Sequence, residues 1–226
     1  LMNKYILLTI FFTLSFAGFG QNSTEKTALA LFDELVGQKN LDINSGIKFE
    51  KKYRYAEDDH HYFNEDKFIE GTVRYEEQTY YNIPMKYDVF EDNLIIKISS
   101  TYDSYAIILN RDKTEYFILN GHQFDHIKGY GYNQKLATNN STILYKKNHK
   151  RKRDRIISNV LYSRFNDDNN YFVMNNGIFP TNSKSQWRKT FTSFKKEINS
   201  FYQSNKKLSA ISKDTFYTNL FKSLHQ

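Results

Sequence analysis

Between Phe68 and Ser99 the chain reads FIEGTVRYEEQTYYNIPMKYDVFEDNLIIKIS, and the order of its apolar residues constrains the fold more than any other feature. Ile83, Met85, Tyr87 and Val89 share one parity, whereas Asn82, Lys86 and Asp88 share the other. Side chains of an extended strand point alternately to opposite faces, so this run predicts a strand buried on one side. A polar break at Glu91-Asp92-Asn93 leads into Leu94, Ile96 and Ile98, again in alternation, which predicts an antiparallel hairpin. Pro84 cannot donate to a ladder, which places its strand at an edge or beside a bulge.

The same grammar continues on both sides. Ile47 and Phe49 start a first strand that runs out in Lys51 to Tyr55, and Glu57-Asp58-Asp59-His60-His61 reads as a polar, solvated loop. Tyr105 to Leu109 and Thr114 to Leu119 are apolar runs separated by Asn110-Arg111-Asp112-Lys113, which has turn chemistry. Asn120-Gly121 signals a tight hairpin, because both residues tolerate positive φ, with Phe124 and Ile127 in the next strand. Tyr130 to Tyr132 and Thr142 to Tyr145 flank a loop at Leu136 to Ser141. Val160 to Phe165 and Tyr171 to Met174 follow, joined by Asn166 to Asn170 and stopped by Asn175-Asn176-Gly177.

At Ser183 the period changes. Trp187, Phe191, Phe194, Ile198 and Phe201 recur every three or four residues, which predicts one helix of about five turns with an aromatic face. Phe216, Leu220 and Leu224 predict a last helix over Ser212 to Leu224, and Ala28, Leu31, Phe32 and Leu35 a short N-terminal one ending at Gly37. Strands first and helices last predict an α+β fold: a curved antiparallel meander of about eight to ten strands packed against C-terminal helices. Residues 46–181 form the strand-rich part and 183–226 the helical part of one domain over 21–226, because neither a long linker nor an internal repeat interrupts it.

Residues 1–20 stand apart. Lys4 is followed by a largely apolar run from Tyr5 to Phe16, with Gly18 and Gly20 at the spacing a signal peptidase accepts. The expectation is a signal peptide cleaved near Gly20, export, and a periplasmic or outer-membrane-associated location. The sequence has no cysteine, which excludes disulfides, thiolate metal sites and a lipid anchor on an N-terminal cysteine. Aromatic residues make up 17% of the chain, as 18 Tyr and 19 Phe, so its core must bury rings whose hydroxyls need partners.

Charge is unevenly spread. Gln21 to Asp125 holds 12 Lys and Arg against 20 Asp and Glu, whereas His126 to Gln226 holds 19 against 5. The halves either form a dipole in space or neutralise each other within the domain.

The signal ending Phe19-Gly20-Gln21, the phrase GTVRYEEQTYYNIPMKYDVFEDNLII, the later ILYKKNHKRK, the strand pair closing in NNYFVMNNG and the tail FYQSNKKLSAISKDTFYTNLF resemble uncharacterised secreted envelope proteins of the Bacteroidota. That resemblance implies an envelope location and carries no catalytic motif onto any position here.

Candidate sites are few. His60-His61 beside Glu57, Asp58 and Asp59 offers metal-ligand types, yet adjacent strand residues face opposite ways. His122 and His126 share a face about 13 Å apart, too far for one ion. Neither G-x-S-x-G nor H-E-x-x-H is present, and the S-x-x-K matches at Ser45/Lys48, Ser193/Lys196 and Ser204/Lys207 lack companion motifs. No metal, cofactor or catalytic residue is therefore expected. The sharpest surface feature is the basic run carrying Lys146, Lys147, Lys150, Arg151, Lys152, Arg153 and Arg155, which reads as a hairpin connection reaching into water. Such density suits an anionic lipid or lipopolysaccharide surface or an acidic envelope protein, and nucleic acid is not expected for an exported chain. The reading is a non-catalytic binding or assembly accessory of the envelope. The alternatives are an apolar-ligand (lipid) carrier and an envelope-polymer hydrolase using Asp125 and His126.

Overall fold

A computed structural model describes residues 42–99 and 104–224. The expected signal segment and the helix expected over 28–37 lie outside the described residues. The fold is α+β: one open antiparallel sheet of eleven strands, a separate two-stranded ribbon, and four C-terminal helices.

The strands are β1 (Ile47–Lys48), β2 (Ile69–Tyr75), β3 (Gln78–Asp88), β4 (Asn93–Ser99), β5 (Ser104–Ile108), β6 (Thr114–Leu119), β7 (His122–Ile127), β8 (Gly131–Asn139), β9 (Thr142–Lys147), β10 (Lys150–Ile157), β11 (Val160–Asp167), β12 (Asn170–Met174) and β13 (Ile178–Pro180). The large sheet runs β1-β5-β4-β3-β2-β6-β7-β8-β9-β12-β13, and β10 pairs only with β11. It is larger than the eight to ten strands expected, and it is not a plain meander. After β5 the chain returns to pair β6 with β2, on the far side of the first hairpin.

That return forces the sheet to curl. On a flat sheet, four ladders at about 4.8 Å would hold β5 and β6 about 19 Å apart. Only Leu109 to Lys113 join them, and Arg111–Lys113 form a tight 3-10 turn. Such a linker spans about 16 Å, so the strands must bend toward each other. The concave side is filled by Val73, Tyr75, Tyr80, Met85, Tyr87, Leu94, Ile96, Phe117, Phe124 and Tyr132, all buried. Phe117 stacks on Phe124 at 4.7 Å between centroids, and Tyr87 meets both edge-on.

The alternation of Met85, Tyr87 and Val89 holds as read, with a break in phase just before it. Asn82 adopts φ 54, and the pairing jumps from Gly71–Ile83 to Val73–Tyr80. This bulge turns Tyr80 to the same face as Met85 and Tyr87. Pro84 is beside the bulge in a central strand, and the ladder to β4 begins one residue later at Met85. Asn120-Gly121 closes the β6–β7 hairpin with φ 51 and 74, as its chemistry predicts.

Three strand expectations need correction. β1 is two residues long and Lys51 to Tyr55 form no regular strand. Leu136 to Asn139 belong to β8, which turns back at Asn140 rather than looping. β11 and β12 do not pair with each other: β11 joins β10, and β12 joins β9.

The helices are α1 (Lys184–Thr190), α2 (Lys195–Ser204), α3 (Lys206–Ile211) and α4 (Lys213–Ser223); α4 is the last helix where it is expected, whereas α1 to α3 stand in place of the one long aromatic helix. The five-turn helix breaks at Phe191, whose φ −113 and ψ 70 leave the helical region between two β-branched threonines. Ser183 and Ser212 cap α1 and α4 by accepting from the amides of Gln186 and Thr215. Trp187, Ile198, Phe216, Tyr217 and Leu220 pack on Leu144, Tyr171 and Val173 as a second core. The helices therefore cover β8, β9, β12 and β13 rather than the central hairpin.

Candidate functional site

A recurring device holds the charges in place. Five tyrosine hydroxyls each donate to a carboxylate that also meets a lysine: Tyr53 to Glu91 with Lys52, Tyr55 to Asp66 with Lys86, Tyr87 to Asp92 with Lys147, Tyr145 to Asp125 with Lys135, and Tyr171 to Asp214 with Lys146. Burial is the first cause that raises each of these tyrosines, and the adjacent carboxylate adds to it; Tyr53 reaches about 12. Two of these clusters, Asp92 with Lys147 and Asp125 with Lys135, join the acidic half of the chain to the basic half.

The basic run divides under this rule. Lys146 and Lys147 close β9 and are spent on Asp214 and Asp92, both at 2.8 Å. The remaining five enter β10, a strand and not a connection. Lys150 donates to the backbone carbonyl of His60 at 2.7 Å, and Lys152 lies over the Tyr53 ring.

Pairing in the β10–β11 ribbon sets Arg151 opposite Asn166, Arg153 opposite Arg164 and Arg155 opposite Tyr162. Because alternate residues share a face, Arg151, Arg153, Arg155 and Arg164 form one arginine-rich side. They line a groove of about 570 Å³ together with Asp154, Asp167 and Asp168. Arg151 meets Asp168 at 2.9 Å, while Arg155 and Arg164 share Asp59 at 3.2 and 3.1 Å. Arg153 has no acidic partner among the described residues. Like charges directly opposed are destabilising in a ribbon, so the Arg153–Arg164 pair is a cost that an anion between them would offset.

The ribbon is anchored by its other face. Phe165, buried, packs against Tyr53, Tyr55, His61 and Phe90, and the amide of Ser163 donates to the carbonyl of Arg54 at 2.8 Å. Here the structure corrects the loop expected at 57–61. His60 and His61 are buried, and His61 Nε2 lies 3.4 Å from Asp88 Oδ2 in a box of aromatic rings. Burial lowers His61 to about 3 and raises Asp88 to about 6. Sequence reasoning missed this pair; its only trace was the cluster of Tyr53, Tyr55 and Tyr62 around two histidines.

The other candidates do not converge. Asp125 is held by Tyr145, Gln123 and Lys135, whereas His126 leans on Tyr132. His122 Nδ1 lies 3.1 Å from the Gln134 side-chain amide. Among the described residues no three His, Asp or Glu side chains gather as a metal-binding group, and no helix is long and apolar enough to cross a membrane.

Comparison with known protein families, with curated proteins and with solved structures finds no match to this chain.

Proposed function

We propose that this protein is a non-catalytic binding or assembly accessory at a polyanionic surface of the cell envelope, and that the arginine side of the β10–β11 ribbon makes the contact. The observation that carries the reading is Arg153 opposite Arg164 on a ribbon outside the main sheet. From Lys150 to Asp167 the ribbon has six basic residues against two acidic ones, and Arg153 has no acidic partner among the described residues. Guanidinium groups in a row suit phosphate or sulfate oxygens, which they bind in forked pairs. The envelope part of the reading rests on the apolar lead after Lys4 and on the absence of cysteine.

The test is retention on immobilised lipopolysaccharide against salt. Wild-type protein elutes late, and Arg153→Glu elutes at markedly lower salt, because that arginine can be reversed without breaking an internal ion pair. Equal elution of both would count against the reading.

A second reading, an apolar-ligand carrier, is favoured by one feature. A cleft of about 340 Å³ lies at the β1 edge, walled by Ile47, Phe49, Ile95 and Ile108, with His61 and Asp88 among its lining. Native mass spectrometry after gentle purification would show a co-purifying lipid if that cleft is loaded, and a clean apo mass would argue against it.

A further inference from the structure

The ribbon extends past its anchors. Arg155 to Asp59 and the Tyr162 ring beneath Arg54 are its outermost ion-pair and ring contacts with the body among the described residues. Beyond them come Ile156, Ile157, Ser158, Asn159, Val160 and Leu161, with Ile156 74%, Ile157 43% and Leu161 59% exposed. Ile156 opposes Leu161 on one face, and Ile157 opposes Val160 on the other. The tip is therefore apolar on both sides of a ribbon one layer thick. Isolated exposed apolar residues need no explanation, but Ile156, Ile157 and Leu161, exposed among the described residues, form one paired block with the half-buried Val160.

We propose that this tip inserts into the acyl boundary of an anionic bilayer while Arg151, Arg153, Arg155 and Arg164 hold lipid phosphates; the inference rests on the reading of the arginine side as the contact element. A flat protein partner would cover one face of the ribbon and leave the other apolar pair in water. Lipid surrounds both. The charge beside the patch selects the anionic kind of bilayer, because the arginines sit where the headgroups would lie.

The dimensions agree. Three strand steps from Arg155 to Ser158 measure about 10 Å, which matches the depth of about 5–10 Å that an interfacial segment reaches. Arginine stems can lie along the acyl boundary while their heads stay with phosphate. Ser158 and Asn159, at φ 47 and 62, form a tight turn that presets the tip, so little chain entropy is lost on insertion. The outer edges of β10 and β11 keep unpaired backbone groups, which holds the ribbon at the interface and prevents deeper entry.

Because the chain has no cysteine, Ser158→Cys gives one attachment point for an environment-sensitive fluorophore. The labelled protein would be titrated with phosphatidylglycerol vesicles, phosphatidylcholine vesicles and dextran sulfate. A blue shift is expected with phosphatidylglycerol alone. The variant Ile156→Ser/Ile157→Ser/Leu161→Ser, unlabelled, should lose about tenfold or more in vesicle affinity while binding dextran sulfate like wild type. Its circular dichroism and Tm should stay close to wild type, since the replaced side chains are exposed and lie outside both cores. A probe that stays in water on vesicles, or a variant that binds them as well as wild type, overturns insertion but leaves the polyanion reading standing. Failure of wild type to bind either dextran sulfate or vesicles overturns both.

Discussion

Lys147 Nζ lies 2.8 Å from Asp92 Oδ2, although five ladders separate β9 from β3, whose turn carries Asp92. On a flat sheet the two would be about 24 Å apart, so their contact measures the curl at this end of the fold. Asp92 also accepts from the Tyr87 hydroxyl at 2.6 Å, and Lys147 donates to the carbonyl of Tyr132 at 3.0 Å. Burial pulls Lys147 down, and Asp92 opposes that pull.

Asp92→Ala would leave the buried Tyr87 hydroxyl and Lys147 without this acceptor, and would place alanine at φ 58. The expected loss is about 2–4 kcal/mol, read as a lower urea midpoint. Lys147→Met should cost about 1–2 kcal/mol, because Arg111 still faces Asp92 at 3.7 Å. Equal and negligible shifts for both would show that the curl is held elsewhere.

Two glycines with similar backbone angles separate strain from collision. Gly121 and Gly131 have φ 74 and 68, but a Cβ on Gly121 meets nothing, whereas one on Gly131 would collide with the Asp92 carboxylate. Gly121→Ala should cost about 1–2 kcal/mol from backbone strain alone. Gly131→Ala should cost clearly more, because Asp92 must give up its place. Thermal unfolding of the two variants side by side checks the order.

His61 and Asp88 give opposite slopes of stability with pH. His61 is lowered from 6.5 to about 3, so the unfolded chain binds a proton that the folded one refuses, and stability falls as pH drops from about 6.5 toward 3. Asp88 is raised from 3.8 to about 6, so its contribution is present at low pH and is lost as pH rises through about 6. His61→Phe keeps ring contact with Tyr53, Tyr55, Tyr62 and Phe165 and removes only the first slope. Relative to wild type, the variant should therefore gain stability as pH falls from 6.5 to 4. A constant difference across that range would refute the burial of a neutral His61.

Phe165 is the ribbon's main anchor. Phe165→Ala should free β10 and β11 locally, so that their amides exchange faster while those of β2, β3 and β6 keep their protection. Uniform acceleration would mean that the ribbon and the sheet unfold as one unit.

Much of this fold is legible in the residues, and the exceptions have physical causes. Met85, Tyr87 and Val89 announce a half-buried strand because period two has one meaning, and Asn120-Gly121 announces its turn because both residues accept positive φ. The bulge at Asn82 is announced only by Pro84 two residues on, since a polar residue on the polar parity itself looks regular. Glu76-Glu77 turns the β2–β3 hairpin at φ 48 and 66, where glutamate is an unusual choice, and nothing marks it. Five polar residues in a row hid the burial of His60 and His61, which depends on rings from Tyr53, Phe165 and Tyr62 that meet only after folding. The ribbon was partly readable: Arg151, Arg153 and Arg155 alternate with Lys152 and Asp154 and run into Ile156-Ile157, a strand pattern obscured by its charge.

The most direct test of the account is hydrogen–deuterium exchange across the whole chain with and without phosphatidylglycerol vesicles. Protection confined to residues 150–164, and lost in Arg153→Glu, is the predicted result. Protection centred on the helices or on the cleft at Ile47, with the ribbon unchanged, would contradict it.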